Sequence, residues 1–133
     1  MTSKITLAAL CLWLGILALS ITMALHLILG LPPLEGAIEN GFIQKAPGIR
    51  PQTLLAMWVT FSVINYIALV GLVAERFLTK NPSPIFAAAT GMSAIGSAVT
   101  INSFVPGHMA VGLLAIPGIL IVLSAILEYR TGN

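Results

Sequence analysis

The sequence predicts an all-α fold, an integral-membrane four-helix bundle with antiparallel neighbours and a short interfacial helix in its first loop. Two observations carry that expectation. Four apolar runs, residues 5–29, 54–74, 85–105 and 109–127, hold no Asp, Glu, Lys or Arg, and each is long enough to cross a hydrocarbon core of about 30 Å as a helix. The composition agrees, with 58% hydrophobic and 8% charged residues and a mean hydropathy of +1.03, where a soluble domain carries about a quarter charged residues. Backbone donors and acceptors in lipid must pair within the chain, which leaves helices or closed barrels as the spanning structures. The spans are expected at about 5–29, 54–77, 85–105 and 108–128, with an outer loop over 30–53, and residues 1–133 form a single four-span transmembrane domain.

The first span follows Lys4 and contains Ala18 and Ser20, which together mimic a cleavable secretory signal. A signal's apolar region covers about 7–15 residues, and the unbroken stretch from Ile5 to Leu29 exceeds it, so the segment is expected to stay as a span. Cys11 lies inside it and is the chain's single cysteine, which excludes an intrachain disulfide. Pro32 and Pro33 are expected to end this span. Proline at the first position of a helix loses no needed N–H, so a separate helix from Pro33 to Asn40 is expected on the membrane surface. There Leu34 and Ile38 share one face and Glu35 and Glu39 another, at i,i+4 spacing. Pro47, Gly48 and Pro51 then favour an extended return.

The second span carries Asn65, the most polar side chain near the middle of any run, with Ser62 and Tyr66 close by in sequence. An amide at that depth needs a partner. Ser93 and Ser97 sit at a similar depth in the third run, and the Thr79–Ser83 connection is short enough to make the two spans an antiparallel pair. An interhelical hydrogen bond worth about 0.6–2 kcal/mol is therefore expected. The alternative use of Asn65, Tyr66, Ser93 and Ser97 is to line a pocket for a polar head or solute.

The third span presents Ala89, Ser93 and Ser97 at every fourth position, with Gly96 beside them, and Thr90, Ser93, Ser97 and Thr100 as a weakly polar stripe. Small residues let helix backbones approach in lipid, so this helix is expected at the centre of the bundle. In the fourth span Pro117 removes the hydrogen bond that would end on the carbonyl of Leu113. A kink is expected there, with a neighbouring side chain satisfying the freed oxygen.

Basic residues near span ends favour the cytoplasm. Lys4, Arg76, Lys80 and Arg130 share the side of the termini, against Lys45 and Arg50 opposite. Both termini are expected to be cytoplasmic, and the membrane to be the inner or plasma membrane if the chain is bacterial. The net charge of +2 is scattered, with no basic cluster able to follow a phosphate backbone, so nucleic acid is not an expected partner. The expected partners are the lipid bilayer and either further copies of the chain or a larger membrane complex.

No catalytic motif is present, and the first expectation for function is a packing, accessory or interaction subunit without catalysis or cofactor. Proton-coupled carriers use an ionisable group inside the membrane, whereas Glu75 and Glu128 stand at span ends. Small multidrug transporters are four-span proteins whose pattern includes a carboxylate in the first span, and none stands here. A second reading is a membrane oxidoreductase or metal protein. Topology brings His26 and His108 to the same leaflet, with Glu35 and Glu39 in the loop between, and imidazoles with carboxylates suit a transition metal or, as two opposed histidines, a haem iron. A third reading is lipid or small-solute binding or transport along the polar stripe of the third span.

Overall fold

The computed structural model describes residues 6–40 and 51–131, with the side chains of 6–28 and 56–131. Four helices make up the described chain: α1 (Leu7–Asn40), α2 (Pro51–Leu78), α3 (Pro84–Phe104) and α4 (Met109–Thr131). Each contains a stretch long and apolar enough to cross a membrane: Leu7–Ile28, Ala56–Leu78, Pro84–Phe104 and Met109–Thr131. The protein is an integral, multi-pass membrane protein.

Proline marks the starts of α2 and α3 as expected of a residue that needs no donor in the first turn. Pro32 and Pro33 do not stop α1. The helix runs through them to Asn40, so the segment expected as a separate surface helix is helical but continuous with the first span. The proline ring fixes a φ that a helix accepts. Pro51 likewise opens a helix instead of ending an extended return. The α3–α4 corner turns at Gly107, whose φ of +75° lies in the left-handed region that glycine adopts without steric cost. Its N–H donates to Asn102 Oδ1 at 3.3 Å.

The helices close a ring in which α1 meets α2, α2 meets α3, α3 meets α4 and α4 returns to α1. Every neighbouring pair is antiparallel. The most extensive contacts belong to α4, against both α3 and α1, which corrects the expectation that the third span is the centre. The cause is where the glycines fall. A Cβ built on Gly91 would stand 2.6 Å from the carbonyl oxygen of Gly118, and one on Gly118 would stand 2.8 Å from that of Gly91, so α3 and α4 touch backbone to backbone. On the other side a Cβ on Gly15 would meet Pro117 O at 3.1 Å and the Ile121 side chain at 2.7 Å. The face of α3 that packs is Ala87, Thr90, Gly91, Ala94, Ser97 and Ala98. Ala89 and Gly96 of the expected stripe lie exposed.

The Pro117 carbonyl problem is solved across the same interface. Thr22 Oγ1 shares its one hydrogen between Leu113 O and Ala18 O of its own helix, each at 2.9 Å. The oxygen that proline deprives of its donor thus gains one from α1.

Helix α2 is held differently. Only 17% of its spanning window is buried, against 44% for α1. Its inward seam is Trp58, Ser62, Asn65, Leu69, Leu72 and Arg76, alternating four and three residues apart as in a coiled-coil stripe. At the end that carries the termini, Arg76 forms a two-pronged pair with Glu128 of α4, Nη1 to Oε1 at 2.9 Å and Nη2 to Oε2 at 3.0 Å. The Arg76 side chain is only 8% exposed. Beside it, Glu75 Oε1 accepts from the backbone N–H of Ser83 at 2.8 Å and ties the α2–α3 turn.

Candidate functional site

Halfway along α2, Asn65 is 1% exposed and every part of its amide is engaged. Its Nδ2 donates to Phe61 O and to Ser97 Oγ, both at 2.8 Å, and its Oδ1 accepts from Ser93 Oγ at 3.3 Å. Ser97 Oγ passes its own hydrogen to Ser93 O at 2.9 Å. The residues expected to pair across α2 and α3 therefore do so. Tyr66, one residue on, is 51% exposed and turns away, because a helix advances about 100° per residue. Ser93 and Ser97 are spent on Asn65, so the pocket expected from these four residues keeps only Asn65.

A cavity of about 210 Å³ opens instead at the end of the bundle opposite the termini, with walls from all four helices. Asn65 and Thr22 stand among its lining residues, and so do His26 and His108. The chain's two histidines, placed on the same leaflet by topology, share one chamber. The wall is otherwise apolar and aromatic, with Trp58, Phe61, Phe104, Val105 and Leu114 among its parts, and no Asp, Glu, Lys or Arg belongs to the described lining.

His26 lies flat on Trp58, ring centroids 3.6 Å apart and planes 17° from parallel. Its Nε2 is 2.7 Å from Ser62 Oγ, which is in turn 2.6 Å from the carbonyl of Trp58. Trp58 and Ser62 are four residues apart on one face of α2, so a single turn supplies both the stacking surface and the hydroxyl. Ser62 has one hydrogen. Given to the Trp58 carbonyl, it leaves Oγ to accept from His26 Nε2–H. Given to His26, it would leave two oxygen lone pairs facing each other at 2.6 Å. The first arrangement pairs His26 Nε2, Ser62 Oγ and the Trp58 carbonyl without a clash, so the neutral His26 ring carries its proton on Nε2. His108 precedes the first turn of α4 and caps it, with Nδ1 accepting from the Ala110 N–H at 3.2 Å, which places the proton of its neutral ring on Nε2.

Among the described residues no three His, Cys, Asp or Glu gather as a metal-binding group. The side chains of Glu35 and Glu39, expected to complete a metal site with His26 and His108, lie outside the described residues. Sequence reasoning matched the two histidines to one leaflet but missed Trp58 as the partner of His26. The available signal was the seam spacing of Trp58, Ser62 and Asn65, which puts all three on the inward face of α2.

No protein-family model, curated protein or solved structure matches this chain.

Proposed function

We propose that this protein binds a small, largely apolar molecule within the membrane, in the chamber between the four helices that holds His26 and His108. The observation that carries the reading is the make-up of the chamber: apolar and aromatic walls with a few polar groups at fixed positions, which is the usual composition of a small-molecule site. Its volume of about 210 Å³ exceeds the roughly 150 Å³ that suffices for a benzene ring. Both termini face the cytoplasm in this reading, on the balance of four basic residues at their end against two opposite, so the chamber belongs to the outer leaflet and is reached from lipid or from outside. Native mass spectrometry of protein purified in mild detergent tests the proposal. The wild type is expected to carry a non-covalent adduct that Ala110→Trp, which fills the chamber, removes without changing the helical content. Adduct-free wild type, with added apolar aromatic probes also failing to bind, would overturn it.

A second reading, as an accessory subunit in a larger or self-associated assembly, is favoured by the thin cover of α2. Val59, Val63, Ile64, Ile67 and Val70 leave one side of that helix bare, available to lipid or to another transmembrane helix. A native mass above one chain, retained at high dilution in detergent, supports that role; a single-chain mass at all concentrations opposes it.

A further inference from the structure

We propose that the molecule bound in this chamber has a neutral head consisting of an aromatic ring bearing a hydroxyl, as in an alkylphenol, and that the hydroxyl donates to Nδ1 of His26. The inference rests on the chamber being a binding site and adds the chemistry of what enters it.

Charge comes first. The described lining contains no Asp, Glu, Lys or Arg, and its two histidines are neutral in the hydrogen-bond pattern above, so a phosphate, carboxylate or ammonium head would lie there without a counter-charge among the described residues, at a cost of several kcal/mol. The head is neutral. Flat aromatic surface comes second. The His26–Trp58 stack, Phe61 and Phe104 line the chamber, and planar rings pack on such surfaces in offset or edge-to-face contacts that saturated chains do not make.

Hydrogen-bond accounting then selects the hydroxyl. Thr22 gives its hydrogen to Leu113 O and Ala18 O, Ser62 gives its own to Trp58 O, and the Asn65 amide is engaged on both sides. The donors of these three side chains are spent inside the protein. With the proton of His26 on Nε2 and directed to Ser62, its Nδ1 is an acceptor, and no described residue donates to it. A ligand that brings a donor satisfies that nitrogen, and one that brings only an ether or carbonyl oxygen leaves it bare. A phenolic O–H is a neutral group that supplies both the donor and the ring.

The test uses the full chain with Trp13→Phe, which leaves Trp58 as the only indole; Trp13 lies at the other end of the bundle against Phe77. Emission from Trp58 in detergent micelles is titrated with 4-hexylphenol and with 4-hexylanisole, which keeps the ring and tail but has no donor. The phenol is expected to bind about three- to tenfold more tightly, the span of one net hydrogen bond. His26→Phe keeps an aromatic ring on Trp58 and is expected to bind the two probes alike. Ser62→Ala, which no longer fixes the imidazole proton on Nε2, is expected to narrow the ratio while binding persists. Equal affinities in the parent, or a phenol preference that survives His26→Phe, overturn the hydroxyl assignment and leave the chamber a binding site. Failure of both probes to alter Trp58 emission removes the chamber reading together with the inference.

Discussion

Helices α4 and α2 both complete the ring, yet opposite kinds of contact hold them. α4 is fixed by the absence of side chains: Gly91 and Gly118 let two backbones meet, and Gly15 lets α1 close on Pro117. α2 is fixed by the presence of polar side chains: His26–Ser62, Asn65–Ser97 and Arg76–Glu128, spread from one end of the helix to the other. Lipid offers little hydrophobic gain for bringing apolar faces together, so a transmembrane helix is held by close packing or by polar bonds. Here the two solutions are divided between helices. The first makes a close-packed frame of α1, α3 and α4, and the second hangs one wall on that frame, with the chamber between.

The division predicts what breaks each part. Gly91→Leu is expected to have the largest effect. Its Cβ would fall 2.6 Å from a carbonyl oxygen that cannot rotate aside, so the cost exceeds the about 1–3 kcal/mol typical of overpacking against movable side chains. The variant should lose its cooperative thermal transition in detergent, while the same change at Gly96, where a Cβ meets nothing within 4 Å, should leave the transition in place.

Arg76→Met should come next. It strands Glu128 at the edge of the apolar region, at a cost of about 3 kcal/mol for breaking a pair whose arginine is buried. Arg76→Met combined with Glu128→Leu removes both charges and should recover much of that loss, as read from thermal or denaturant unfolding. A double variant as unstable as the single one would mean that α2 depends on packing at that end and not on the ion pair.

Thr22→Val should cost about 1–2 kcal/mol, since it leaves the Leu113 carbonyl buried without its donor. In a Pro117→Ala background residue 117 regains its N–H and supplies the donor itself, so the cost of Thr22→Val should shrink. Equal costs in the two backgrounds would show that the hydroxyl does not answer the proline.

The fold was legible because its governing facts are one-dimensional. Uncharged runs of spanning length give the number of helices, each crossing reverses the chain so that consecutive helices are antiparallel, and an even number puts both described ends on one side. The Asn65 bond was legible for a related reason, since an amide in mid-membrane has few possible partners and Ser93 and Ser97 lie at matching depth. The freed Leu113 carbonyl followed from proline chemistry alone, although nothing in the sequence marked Thr22 as its donor. Rotation of a helix about its axis was the illegible part. In α3 small residues lie on more than one face, so the pattern at Ala89, Ser93 and Gly96 looked as suitable as the face at Gly91 and Ala94 that packs. Only the position of Gly118 on α4 decides between them. The chamber was half legible: chain topology puts His26 and His108 in one leaflet, but their common wall depends on the rotations of α1 and α2.

Amide hydrogen exchange of the protein in lipid nanodiscs, resolved by helix, tests most directly whether a polar-latched α2 forms the wall of a binding chamber against a close-packed frame. The account predicts faster exchange over residues 57–65 of α2 than over residues 87–98 of α3, and a slowing confined to the chamber-lining turns when 4-hexylphenol is added. Exchange over 57–65 as slow as over 87–98, and unaltered by the phenol, would contradict it.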